Sequence, residues 1–148
     1  MTHERPDRRI LEMSEDFSVV FKAPRERVFN FMTDFENLSS HSLFIKNITI
    51  ISKRENKLEL EIRIEIPQGI TIIAIHDVEM HPYSMYTETA ITGPRRGTTI
   101  STMFVQDGEN TTVSRHSDQA ESTEVITQGQ ELWKKELEAY RREIERQS

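Results

Sequence analysis

His76 is the residue of this 148-residue chain whose neighbours most clearly suggest a chemical role. Residues 70–80 alternate, and His76 shares its parity with a series of apolar side chains: Ile70, Ile72, Ala74, Val78 and Met80. Successive side chains of a strand point to opposite faces, so this parity predicts an inward imidazole. A buried imidazole can act as a general acid or base on a bound ligand. The alternative is a core histidine whose ring nitrogens are satisfied by a neighbouring hydroxyl or carbonyl group.

Arg115 is the second candidate, because it shares strand parity with Val113. An inward guanidinium could hold a ligand carboxylate or phosphate through paired hydrogen bonds, and His116 would then face outward. The alternative is a strand whose hydrophobic alternation ends before Arg115.

Other kinds of chemistry lack a recognisable setting in the sequence. The chain has no cysteine, no HExxH motif and no Asp-rich loop, and its later histidines, His41, His76, His81 and His116, do not share close helical spacing. We therefore expect no metal site. Glycine-rich phosphate loops and a Gly-x-Ser-x-Gly elbow are missing too, so we expect no cofactor and no serine nucleophile.

Composition limits the partners. The formal charge of −6 and the pI near 5.4, with no stripe of basic residues, argue against nucleic acid as a main partner. No stretch reaches the roughly 18 uncharged apolar residues of a membrane span, so we expect no stable membrane insertion. The absence of cysteine and of a signal-like start favours a cytoplasmic protein.

The first elements are a strand, a corner and a helix. From Asp16 onward, Phe17, Val19 and Phe21 alternate with more polar residues, which predicts a half-buried strand ending at Ala23-Pro24. Proline suits a first helical turn, so a helix is predicted to start there. One face of that helix would carry residues three, four and seven apart: Val28, Phe31, Met32 and Phe35. A second short helical turn or loop is predicted over residues 36–41.

A run of strands and a long helix complete the chain. Six further strands are predicted over residues 45–53, 57–66, 70–80, 83–91, 98–106 and 111–119, separated by turn residues, which is typical of an antiparallel meander. A final helix is predicted from a capping box of Thr127 and Gln130, with an apolar stripe: Leu132, Trp133, Leu137, Tyr140 and Ile144. Residues 117–126 could be a strand end, a loop or an insertion. Only the final helix is long enough to cover the apolar face of the sheet.

This order, together with the segment FKAPRERVFNFMTDFENL, resembles the START-like superfamily, also called SRPBCC or the birch-pollen-allergen fold, including its polyketide cyclase/dehydrase-type members. The matching residues are Ala23, Pro24, Val28, Phe29, Asp34 and Leu38. The resemblance covers about residues 16–147. It implies an α+β helix-grip fold, in which a curved antiparallel sheet of about seven strands wraps around a long C-terminal helix and two short helices follow the first strand. We expect residues 14–148 to form a single domain after a flexible leader, residues 1–13.

The resemblance also implies a cavity between sheet and helix that holds a lipid, steroid, polyketide or other apolar ligand. The predicted lining is Phe31, Phe35, Leu38, Phe44, Ile62, Ile64, Ile72, Ala74, His76, Phe104, Arg115, Trp133, Leu137 and Tyr140. Alternatively, Trp133, Leu137 and Tyr140 are core residues that only anchor the helix. Family members often place Pro and Trp where this chain has Ser39-Ser40-His41, and the last two strands carry many hydroxyls, so the cavity is either more polar than usual or small.

Three functional hypotheses follow. The first is a protein that binds or carries a small apolar or amphipathic ligand. The second is an enzyme of the cyclase, dehydratase or hydrolase kind, with His76 transferring protons and Arg115 anchoring the ligand. The third is a module whose surface binds another protein. The sequence determines neither the ligand nor the oligomeric state.

Overall fold

The computed structural model describes residues 15–117 and 123–147, and the side chains of residues 18–117 and 131–147. The predicted leader, residues 1–13, lies outside this part of the chain, as do residues 118–122 of the uncertain polar segment.

The chain begins with strand β1 (Glu15–Phe21) and helix α1 (Arg25–Met32), joined at Pro24. The carbonyl oxygen of Pro24 accepts the first helical hydrogen bonds, from the backbone N–H groups of Arg27 and Val28 at 3.1 Å each. Helix α1 ends at Met32, so the prediction that Phe35 belongs to it was wrong. The Thr33 hydroxyl donates to the carbonyl oxygen of Phe29 at 2.8 Å, and Phe35 is buried from the following loop instead.

The second predicted helix is only a single 3-10 turn, Leu38–Ser40. The meander follows it as β2 (Ile45–Arg54), β3 (Lys57–Ile66), β4 (Ile70–His81), β5 (Met85–Ala90), β6 (Thr99–Asp107) and β7 (Asn110–Ser117). Every predicted strand is present, with ends within two residues of those predicted.

The seven strands form one antiparallel sheet in the order β1-β7-β6-β5-β4-β3-β2. Strand β3 shows how the two faces of the sheet differ: Leu58, Leu60 and Ile62 are buried, whereas Glu61 and Arg63 are exposed. Apolar side chains therefore collect on one face of the sheet, and that face needs a cover.

Helix α2 (Thr123–Arg146) provides the cover. It begins four residues before Thr127, so the predicted capping box lies inside the helix and does not start it. Leu137, Tyr140 and Ile144 are almost completely buried in the apolar cluster that the helix shares with the sheet. The Arg27 guanidinium donates to the Ile144 carbonyl oxygen at 2.6 Å, which ties α1 to the end of α2. The architecture is the predicted helix-grip arrangement, and we call the covered side of the sheet its concave face.

Candidate functional site

Five polar side chains occupy the concave face of β4 to β7. We call this set the polar cluster: His76, Tyr86, Glu88, Thr102 and Arg115. Four of them are at most 8% exposed, although glutamate and arginine side chains are normally charged at neutral pH and histidine can be. Strand register explains the grouping, since Tyr86 lies opposite Thr102 and Thr102 lies opposite Arg115. Directly opposed residues share a face, so three side chains form a row across β5, β6 and β7.

His76 and Glu88 form a hydrogen-bonded pair beside that row. His76 Nδ1 and Glu88 Oε1 are 3.1 Å apart, and the two side chains are only 16% and 10% exposed. An ionised carboxylate can only accept, so the shared proton belongs to Nδ1. The other ring nitrogen, Nε2, is then left for a different partner.

The pKa of Glu88 reflects competing causes. Burial alone would raise it, but the hydrogen bond from His76 and the positive charges of His76 and Arg115 outweigh burial and lower the pKa below its ordinary value. Glu88 is therefore an anion at neutral pH, and it offsets part of the Arg115 charge.

Arg115 is the most completely buried cation of the described side chains, at 1% exposure. Its Nε and Nη1 atoms make no hydrogen bond with any described residue. Its Cζ lies 3.7 Å from the centroid of the Trp133 ring on α2, close enough for a cation–π interaction. The indole therefore covers the guanidinium without offering it an acceptor.

Two hydroxyl groups continue the row. The pKa of the Tyr86 phenol is raised, first by burial and then by the negative charge of Glu88, against a smaller opposite influence of Arg115 and Thr102. Tyr86 is thus a neutral O–H group at any ordinary pH. Thr102 is close enough to influence that pKa, yet its Oγ1 has no partner at hydrogen-bond geometry within the described chain.

A second polar group lies where α2 meets the loop before β2. The buried Glu136 carboxylate accepts hydrogen bonds from the Ser42 hydroxyl, from the Leu43 backbone N–H at 2.9 Å and from the Tyr140 hydroxyl at 2.5 Å. Burial, followed by the Glu136 charge, raises the pKa of Tyr140 well above its ordinary value. Glu136 therefore fastens the loop to the helix through neutral donors.

The sequence prediction named Arg115 and His76 but missed Glu88 and Glu136. Both omissions had a signal. Glu88 shares parity with the inward Tyr86 and Ala90, and Glu136 lies three residues after Trp133 and four before Tyr140 on the helical stripe. In each case the periodicity indicates a buried position, but glutamate is a residue type that usually faces solvent.

The predicted lining residues lie at varied depth. Those buried are Phe35, Leu38, Ile62, Ala74, Phe104, Arg115, Leu137 and Tyr140, and those half-buried are Phe31, Phe44, Ile64, Ile72, His76 and Trp133. The central apolar cluster joins most of the aromatic and aliphatic members, with ring centroids of Phe31 and Tyr140 5.7 Å apart. It does not include Phe44, Ile72 or Ala74.

Two depressions, of about 550 and 470 Å³, lie away from the polar cluster. The larger lies over β2 to β5, and half of its lining residues are exposed, among them Lys57, Asp77 and Glu79. The smaller lies around Pro24 and the β6–β7 turn. Neither is lined by any member of the polar cluster.

In residues 15–117 and 123–147, no three His, Asp or Glu side chains are grouped so that they could hold a metal ion. No helix in that part of the chain combines the length and apolar character needed to cross a membrane.

Comparison with known proteins identifies the fold. No protein-family model matches the chain, and neither does any curated protein sequence. Solved structures do match. TTHA0849 from Thermus thermophilus has a TM-score of 0.78 at 14% identity, over 89% of this chain and 97% of that protein. A START superfamily protein from Mycobacterium smegmatis has a TM-score of 0.71 at 16% identity, over 90% and 97%.

A third match is the Zhui aromatase/cyclase from a Streptomyces species, with a TM-score of 0.67 at 14% identity, over 88% of this chain and 92% of that chain. Identities this low establish shared architecture rather than shared chemistry. The seven-stranded sheet closed by one long helix, matched over nearly its whole length to these proteins, shows that the chain has the START-like (SRPBCC) fold.

Proposed function

We propose that this protein binds a small amphipathic molecule on the concave face of its sheet, beneath α2. The observation that carries the proposal is the buried Arg115 guanidinium, two of whose nitrogen atoms make no hydrogen bond with the described residues. Burying a charge without hydrogen-bonding partners is costly, and a purely structural core has no need of it. A ligand that supplies the missing acceptors would offset that cost.

The surroundings of Arg115 suit the apolar part of such a ligand. Trp133 stacks on the guanidinium, and it packs against the same apolar cluster as Phe31 on α1 and Phe35 on the loop before the 3-10 turn. Aromatic side chains offer large apolar contact area with little loss of side-chain freedom. Lipids, steroids and polyketides all fit this description. The START superfamily protein and the aromatase/cyclase among the structural matches lend support through shared architecture. We also propose that residues 14–148 form one domain.

A second candidate function is catalysis, and the pair of His76 and Glu88 favours it. In the neutral imidazole, the hydrogen bond to Glu88 fixes the tautomer and orientation of the ring, which leaves Nε2 to accept a proton from a bound substrate. The reaction class would be proton abstraction next to a carbonyl group, as in cyclisation or dehydration. His76→Ala distinguishes the two functions, because an enzyme would lose turnover and keep its ligand affinity.

The test of the proposed function is native mass spectrometry of the protein purified from its own cells, followed by organic extraction. We expect a stoichiometric amphipathic molecule to co-purify. A ligand-free mass, with no binding across a panel of lipids and polyketides, would contradict the proposal and favour a module whose surface binds another protein.

A further inference from the structure

The row of Tyr86, Thr102 and Arg115 contains more hydrogen-bond donors than the described residues satisfy. An arginine side chain has five N–H donors and no acceptor, and here two of its nitrogens are buried without partners. Thr102 Oγ1 lies in the next strand, directly opposite Arg115. It has no partner at hydrogen-bond geometry among the described residues, although it is near enough to the Tyr86 phenol to lower the pKa of that group. The Tyr86 phenol, opposite Thr102, keeps its proton.

The described carboxylates close to this row are engaged with other donors. Glu88 is the nearby anion, and its Oε1 accepts the hydrogen bond from His76 at 3.1 Å. Glu136, the other buried carboxylate with an influence on Tyr86, accepts three hydrogen bonds from Ser42, Leu43 and Tyr140. Two neighbouring strands therefore present donors to the same interior that no described carboxylate satisfies.

We propose that this row is a recognition subsite for an oxyanion, so that the ligand is an amphipathic acid with a carboxylate or phosphate end. This inference rests on the proposed function and specifies its ligand class. The oxyanion accepts from Arg115 and Thr102, and the apolar part of the ligand extends along the aromatic side of α2. Charge-assisted hydrogen bonds from a guanidinium are the strongest that such a ligand can receive.

Trp133 makes the subsite observable, because it is the only tryptophan in the chain and it lies over Arg115. Its fluorescence and isothermal titration calorimetry would follow binding of decanoate, decyl phosphate and decanol to the full-length protein. The three probes share one alkyl chain and differ in the end group. The variants are Arg115→Met, Arg115→Lys and Thr102→Val, and Arg63→Gln is the control because that arginine is half-exposed on the outer face.

We expect decanoate, decyl phosphate or both to bind the wild type about 10- to 100-fold more tightly than decanol, as charge-assisted hydrogen bonds would give. Arg115→Met should lower the affinity for the two acids to that for decanol, and it should leave the affinity for decanol unchanged. The affinity of Arg115→Lys for the acids should lie between those of the wild type and Arg115→Met. Thr102→Val should bind the acids about threefold to tenfold more weakly than the wild type, and Arg63→Gln should bind all three probes as the wild type does. Circular dichroism verifies that each variant is folded.

The relative affinity of the two acids identifies the oxyanion. Equal binding of decanol and both acids by the wild type, or a preference for acids that survives in Arg115→Met, would overturn the oxyanion subsite and leave the proposed function intact. Failure of all three probes to bind would overturn both.

Discussion

Glu136 on α2 and Arg115 on β7 are buried charges of opposite sign on the two sides of the protein interior, and they differ in how well their hydrogen-bonding groups are satisfied. Each is 1% exposed. Glu136 on the helix accepts three hydrogen bonds, whereas two nitrogens of Arg115 on the sheet have no partner in the described chain. Buried polar groups are normally satisfied, so the exception is informative. We interpret the satisfied charge as part of the scaffold and the unsatisfied one as part of the binding site.

The satisfied charge has a mechanical role. Besides donating to Glu136, the Ser42 hydroxyl accepts hydrogen bonds from the backbone N–H groups of Phe44 at 3.1 Å and Ile45 at 2.7 Å. The start of β2 is therefore linked to α2 through one serine and one carboxylate. Because α2 also carries Trp133, this link helps to position the helix that covers the proposed site.

The largest effect is expected when Glu136 is removed. Glu136→Ala would leave two hydroxyls and one backbone N–H without their acceptor, so the free energy of unfolding should fall by about 3–5 kcal/mol. Urea denaturation followed by circular dichroism measures the loss. The control is Glu138→Ala on the same helix, where a partly exposed ion pair with Arg141 should contribute less than about 1 kcal/mol. A loss below about 1 kcal/mol for Glu136→Ala would contradict the scaffold role.

Glu88→Gln should have the next largest effect, of about 1–2 kcal/mol at pH 7, because the acceptor for His76 loses its charge. The pKa of Glu88 in the folded chain lies below 4.5, so the unfolded chain takes up the proton first as pH falls. The Glu88 charge therefore stabilises the fold above pH 4.5, and this contribution is lost as pH falls through the folded pKa.

Urea denaturation between pH 3 and pH 7 would measure this dependence. The variant should show a smaller loss of stability on acidification than the wild type. If the unfolding free energies of the variant and the wild type fell in parallel with pH, the folded state would not stabilise the Glu88 anion.

Tyr140→Phe should cost about 1 kcal/mol at pH 7, since Glu136 keeps its other two donors. The raised pKa of Tyr140 gives a second signature. Above pH 10.0 the unfolded chain ionises this phenol while the folded chain does not, so the free energy of unfolding falls as pH rises. The variant should lose less stability than the wild type between pH 9 and pH 11. If the variant and the wild type lost the same stability between pH 9 and pH 11, this would contradict a buried Tyr140 that stays protonated in the folded chain.

Arg115→Met should have the smallest effect on stability, within about 1 kcal/mol in either direction. Replacing a buried, poorly satisfied charge with an apolar side chain of similar length is often neutral or stabilising, although the loss of the Arg115 charge beside Glu88 works against this gain. The same urea measurement applies. A loss above about 3 kcal/mol would place Arg115 with the scaffold and remove the contrast with Glu136.

The architecture could be predicted from the sequence because strands and helices leave a periodic pattern of apolar and polar residues. Alternation in residues 57–66 predicted β3 without error, and the Ala23-Pro24 corner marked the change from strand to helix. The helix ends were harder. Phe35 continued the apolar spacing beyond Met32, but the chain leaves the helix at Thr33, because local hydrogen bonds and burial rather than spacing determine the end.

The site was only half predictable for a related reason. Parity placed Arg115 and His76 on the inner face. The pairing of His76 with Glu88 depends on a diagonal between β4 and β5, and the stacking of Trp133 on Arg115 joins residues 18 positions apart across sheet and helix. Such contacts depend on register and on the packing of α2, which no local pattern specifies.

The most direct test of the central claim is the proton-nitrogen NMR signal of the Arg115 Nε–H group, assigned by its absence in Arg115→Met. This group is buried and has no described hydrogen-bond partner, so its signal should report a new acceptor. We predict a downfield proton shift when decanoate or decyl phosphate is added, and little change with decanol. A signal that stays in place while calorimetry shows that the acid binds would contradict the claim that Arg115 receives the ligand.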